Sequence, residues 1–231
     1  MTFTGAAHAV LLEGVFSGTV YSSRDDTRYD GTTLFGGAAY GGQNGQTITG
    51  TLRIDTDSAP ADSYPSSYYG YYNSYQDNSD WLGISMTLNG VVMGFHGAYR
   101  QLAWLYPHYG QYGVHARDLS YTSSNEGQEY TNHYMTIHFY DHLLSILSGD
   151  GLEQTFSFSS SQPGQYGYGT YFLYDYTYTN GVGFADANYA YGSFYLDELT
   201  LSYASVSEPA SVVLLGAGLL GLGFVRRKRS S

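Results

Sequence analysis

Apolar and polar residues alternate with a period of two, in short runs broken by Gly, Asn, Asp and Ser, and this alternation constrains the fold more than any other feature of the chain. In VLLEGVFSGTVYS, Val10, Leu12, Phe16 and Val20 share one face, while Glu13, Ser17 and Thr19 share the other. In TITGTLRID, Ile48, Leu52 and Ile54 oppose Thr49, Thr51 and Arg53. The stretch ISMTLNGVVMGF sets Asn89-Gly90 between two apolar runs, and both residues tolerate the positive φ of a tight hairpin. Further strands are expected at 112–121, 134–142, 153–159, 170–179 and 191–203. Helical periodicity is scarce. Eight or more strands over residues 10–204 predict an all-β fold, an antiparallel β-sandwich or jelly-roll-like domain. An outer-membrane β-barrel is the rival, since tyrosine-rich strands and an acidic chain suit it. Short apolar faces interrupted by Gly, and an apolar helix at the end in place of a strand, argue against it.

Residues 58–80, SAPADSYPSSYYGYYNSYQDNSD, lack alternation and read as a long surface loop. QPGQYGYGTYFLYDYTYTNG reads as a loop running into a tyrosine-studded strand. No fixed period marks a repeat architecture. Cysteine is absent, which removes disulfides, zinc-thiolate sites and thiol nucleophiles. Four of the nine basic residues are Arg226, Arg227, Lys228 and Arg229; the other five, against twenty acidic residues, leave the preceding body at −15. Such a body repels phosphate backbones, so no nucleic-acid partner is expected. A charged fraction of only 13 %, with 27 tyrosines supplying polarity, fits an exported β-protein better than a cytosolic enzyme.

The last stretch, SEPASVVLLGAGLLGLGFVRRKRSS, is of another kind. Ala210 to Val225 is apolar except for Ser211, and sixteen helical residues span about 24 Å, close to the lower limit for crossing a bilayer. A C-terminal single transmembrane helix is therefore expected, anchored by Val212, Val213, Leu214, Leu215, Leu219, Leu220, Leu222, Phe224 and Val225. Arg226, Arg227, Lys228 and Arg229 form a basic stop retained in the cytoplasm, which puts residues 1–209 outside it. Gly216, Gly218 and Gly221 fit G-x-G-x-x-G, but no second strand with an acidic residue follows, so nucleotide binding is not expected. The divisions are 1–9, a signal-peptide remnant or disordered N-terminus; 10–204, the β-domain; 205–209, a linker with a sorting motif; 210–225, the helix; and 226–231, the basic tail.

Ser207-Glu208-Pro209, an apolar helix and an Arg-rich cluster, in that order, resemble the PEP-CTERM sorting signal of Gram-negative bacteria. That motif commonly reads V-P-E-P, so Glu208-Pro209 correspond to its core and Ser207 departs from its first Pro. Pro209 disfavours helix in the residues before it, which keeps the motif extended and accessible. The resemblance implies an exosortase-type membrane protease as partner, which removes the helix from an inner-membrane precursor and sends the domain to the cell surface or beyond. It also implies an association with exopolysaccharide and biofilm.

Ala7-His8-Ala9 has the form of a signal-peptidase site without the basic and apolar regions that should precede it, so the true start is expected upstream. His133, His138 and His142 invite a zinc reading, but His138 and His142 share a solvent-facing strand surface with Thr136 and Tyr140, so an exposed polar face is expected. Asp25, Asp26 and Asp30, Asp55 and Asp57, and Asp77 and Asp80 read first as solvated turn residues, with a calcium site as the alternative. No cofactor is otherwise expected. No HExxH, nucleophile elbow or phosphate loop is present, and Asp197-Glu198 point to opposite faces of one strand, so no enzyme is expected. Tyr68, Tyr69, Tyr71, Tyr72 and Tyr75 are the candidate glycan contacts, because aromatic rings stack on sugar faces while their hydroxyls hydrogen-bond; the bland alternative is tyrosine on a solvent-facing sheet. The sequence thus predicts an exported surface or matrix protein, structural or adhesive in exopolysaccharide or biofilm. The alternatives are a carbohydrate-binding module of the same architecture and a secreted glycan hydrolase.

Overall fold

Among the described residues the alternation is realised as eleven strands: β1 (Leu11–Asp25), β2 (Thr47–Asp55), β3 (Gly70–Tyr75), β4 (Leu82–Leu88), β5 (Val91–Phe95), β6 (Arg100–Tyr106), β7 (Gln111–Ser123), β8 (Gly127–Asp141), β9 (Phe156–Ser159), β10 (Gln165–Thr179) and β11 (Gly183–Tyr203). The computed structural model describes residues 10–26, 33–63, 70–75, 80–149 and 151–204, with backbone alone at 185 and 186. The predicted divisions 1–9, 205–209, 210–225 and 226–231 lie outside the described residues. Among the described residues no helix is long and apolar enough to cross a membrane.

All pairings are antiparallel and belong to one sheet, ordered β3-β6-β7-β8-β10-β11-β1-β2-β4-β5, with β9 added beside β11. This order forces the sheet to curl. β5 and β6 stand eight places apart, about 38 Å in a flat sheet at the usual strand spacing. Only residues 96–99 join them, a reach of about 17 Å fully extended. The sheet therefore bends round until β4 and β5 approach β7 and β8. The expected all-β, antiparallel architecture is present, and its strands form one continuously hydrogen-bonded sheet that curls.

The face enclosed by the curl is the apolar one. Leu12, Phe16 and Val20 of β1, Ile48, Leu52 and Ile54 of β2, Met135, Ile137 and Phe139 of β8 and Phe194 of β11 are all at most 3 % exposed, in one cluster. A lipid-facing barrel needs the reverse, an apolar band outside. Close packing sets two glycines: a Cβ at Gly18 or Gly169 would overlap the ring of Phe194.

A buried side chain clasps the place where strand pairing stops. Gln101 of β6 is 0 % exposed. Its Oε1 accepts from Trp81 N (3.0 Å) and Leu82 N (2.9 Å), and its Nε2 donates to His96 O (3.0 Å) and Gly97 O (3.4 Å). Beside it, the Asp118 carboxylate accepts from His96 N and Ala98 N, both at 2.9 Å. The Asn89-Gly90 hairpin forms as expected, with φ of 50° and 82°. Asn89 Nδ2 also donates to Phe35 O (3.0 Å) and Gln43 Oε1 (2.6 Å), which ties the turn to the loop before β2.

Candidate functional site: an aromatic outer face

Tyr112 and Tyr171 are buried in the core, and most tyrosines of β8, β10 and β11 occupy the outward positions. On β8 these are Tyr130, Tyr134, His138 and Tyr140; on β10, Tyr166, Tyr168, Phe172, Tyr174, Tyr176 and Tyr178; on β11, Phe184, Tyr189, Tyr191 and Tyr195. Cross-strand neighbours on one face of an antiparallel pair come within contact distance, so the rings form ladders. Tyr140 stacks on Tyr166 with centroids 4.8 Å apart, Tyr134 on Phe172 at 5.0 Å and Tyr130 on Tyr176 at 5.3 Å. Tyr189 meets Phe172 and Tyr191 edge-on, each at 5.6 Å. From Tyr166 to Tyr178 the face runs about 40 Å along β10.

Tyr134, Phe172, Tyr189 and Tyr191 wall a shallow groove of about 300 Å³, with Thr170 and Ser193 as its polar residues. Gly192 also lines it, and on the inner side its missing Cβ makes room for the Tyr171 ring. At one side Arg24 lies 5.2 Å over the Tyr189 ring and 4.8 Å over Tyr40, and pairs with Asp26 at 2.9 Å.

Two histidines belong to this face. Burial, with Arg100 and Arg117 nearby, lowers the pKa of His115 to about 4, and its Nδ1 lies 2.8 Å from Thr136 Oγ1. Burial among Trp104, Tyr140 and Tyr168 lowers His138 likewise to about 4. Both are neutral at physiological pH.

The predicted contacts sit differently from the expectation. Residues 70–75 are strand β3, which corrects the reading of 58–80 as one loop; Tyr71 N bonds Asp62 Oδ1 (2.9 Å), and Ser63 N bonds Tyr71 O (2.8 Å), covering the sheet edge. Tyr71 and Tyr75 point outward, whereas Tyr72 shares the inward side with Ser74 and packs against the core. Tyr68 and Tyr69 lie outside the described residues, as do the sorting motif Ser207, Glu208 and Pro209, the membrane-anchor residues and the basic stop. The broad face of β8, β10 and β11 was legible as tyrosine in alternation, but pairing alone brought its three strands together.

No three His, Asp or Glu side chains converge as metal ligands among the described residues. His133 points away from His138 and His142, with its Nε2 2.8 Å from Asp175 Oδ2. Asp25 accepts from Leu34 N (2.7 Å) and Phe35 N (2.6 Å), and Asp55 closes its own turn through Asp57 N and Ser58 N. Asp30 and Asp77 lie outside the described residues. Asp197 accepts from Thr19 Oγ1 at 2.9 Å.

Fold and face together define an all-β domain with a mixed aliphatic and aromatic interior and an exterior rich in tyrosine. Residues 205–229 match the family model of the PEP-CTERM protein-sorting motif, so the chain carries a PEP-CTERM sorting domain. The motif marks an exported surface protein processed by exosortase, a membrane enzyme, and passed through the membrane toward the cell surface. Searches of curated proteins and of solved structures returned no match.

Proposed function

We propose that the exported domain is a non-catalytic, structural or adhesive component of the cell surface or matrix, and that its outer aromatic face contacts exopolysaccharide. The observation that carries this is the set of ring contacts on the outer face, stacked between β8 and β10 and edge-on to β11. Sugars offer apolar C–H faces and polar rims, and tyrosine answers both in one side chain. Export supplies the setting, since such a face in a secreted protein meets the polymers around the cell. The precursor is held in the inner membrane by residues 210–225, with RRKR in the cytoplasm, until exosortase cuts near Ser207 to Ala210.

The test is retention of the full chain on the producer's exopolysaccharide. Tyr166, Tyr191 and Tyr195 are 44 %, 37 % and 59 % exposed, so their replacement by Ala leaves the core intact. Retention should fall about tenfold or more in the triple variant, as base-like stacking losses on aromatic platforms do. Unchanged retention, or none by the parent protein, removes the reading.

A further inference from the structure

Arg100 and Arg117 stand directly opposite each other on β6 and β7, on the outer face. Like charges so placed destabilise a strand pair, and an acidic chain could offset them with a carboxylate. Among the described residues neither arginine has a carboxylate partner, and the acidic residues of β7, β8 and β10, namely Asp118, Glu129, Asp141 and Asp175, are all on the inward-facing side of their strands.

Each guanidinium is instead fixed by a neutral partner. Arg100 Nε donates to Asn73 Oδ1 (3.2 Å) and Arg117 Nε to Asn132 Oδ1 (3.0 Å), while the Tyr99 ring lies 5.2 Å from the Arg117 guanidinium carbon. Tethering through Nε leaves the terminal nitrogens, the fork that grips a carboxylate bidentately, without protein acceptors among the described residues. Both side chains are half-buried, so they are partly desolvated and oriented before any ligand arrives.

The pair also heads a row. Pairing places Arg100, Arg117, Tyr134, Phe172 and Tyr191 side by side on β6, β7, β8, β10 and β11. The last three wall the groove described above, so from Arg117 to Tyr191 the row covers about 14 Å, enough for a short run of sugar rings.

We propose that this row binds an acidic polysaccharide, with a uronate carboxylate between the Arg100 and Arg117 guanidiniums and the sugar rings on Tyr134, Phe172 and Tyr191. It rests on the glycan-contact reading and adds to it the chemical class of the glycan. The net negative charge of the body does not oppose it, because repulsion from carboxylates more than about 10 Å away is screened at physiological salt while the arginines touch the ligand.

Titration calorimetry of the full chain against tetragalacturonate and against cellotetraose tests it. Expected are affinity for the uronate about tenfold or more above that for the neutral sugar, and loss of that preference in R100Q/R117Q with cellotetraose binding unchanged. R117K should lose most of the preference too, since a point charge cannot replace the fork. The thermal midpoint of R100Q/R117Q should not fall, because a like-charge pair is relieved, and this separates a lost site from a lost fold. Equal affinity for both probes, or a preference that survives R100Q/R117Q, overturns the inference and leaves the glycan-contact reading standing. Binding of neither probe also overturns it, and retention on native exopolysaccharide, measured alongside, decides whether the broader reading falls with it.

Discussion

Single side chains decide whether the curl holds. Gln101 uses both lone pairs and both amide protons in one buried place, so Q101A orphans two backbone N–H groups and two carbonyls at once. We expect it to cost about 3 kcal/mol, read from the urea midpoint, with the isosteric Q101E also destabilised because a carboxylate cannot donate. A change below about 1 kcal/mol would show that the seam is held by something else. Two further residues set the acid response. His115 and His138 titrate near 6.5 unfolded and at about 4 folded, so the unfolded state binds protons first on acidification. Their contribution is complete above pH 6.5 and is lost as pH falls toward 4. Asp141 takes over below: burial would raise its pKa, but bonds from Ser145, Ile146 and Leu143 outweigh this and hold it below the usual carboxylate range. Stability tied to Asp141 is therefore present above about pH 4 and lost beneath it. Urea midpoints from pH 7 to 4 should decline, and H115Q/H138Q should flatten that decline; an unchanged slope would reject the assignment.

At the scale of elements, legibility followed how much information a strand carries locally. The Asn89-Gly90 hairpin was readable because a two-residue turn demands positive φ and only a few residues supply it cheaply. G90V should cost about 1–2 kcal/mol, measured by thermal unfolding, whereas G90N should cost less, because Asn tolerates the left-handed region. β6 and β3 were not read. RQLAWLY alternates only weakly, since Leu102 and Trp104 on the outer side are as apolar as Ala103 and Leu105 inside. GYYNSY shows tyrosine on both sides, with Tyr71 outward and Tyr72 inward. Tyrosine is amphipathic, so its presence does not say which face it is on. Nor did the glycines show their purpose: Gly113 lies beneath the indole of Trp104, where a Cβ has no room. G113A should therefore be destabilised by about 1–3 kcal/mol despite alanine's small size, with unchanged urea midpoint as the contrary result.

For the whole molecule, the sorting domain and the β-domain make separable predictions. Intact mass of the native protein, in cells with and without exosortase, should give a mature form ending near Ser207 to Ala210 only where the enzyme is present. Persistence of the RRKR tail in both strains would mean a permanent anchor. The sequence by itself determined the all-β class, the inward apolar set of the first strands and the sorting motif, because period-two patterning and a short linear signal are both local properties of the chain. Only the tertiary structure decided that one sheet curls on itself, that Gln101 closes its seam, and that Arg100, Arg117, Tyr134, Phe172 and Tyr191 form a row. The physical reason is that strand order and register depend on pairings between residues far apart in the chain, and no local pattern records which strand lies beside which.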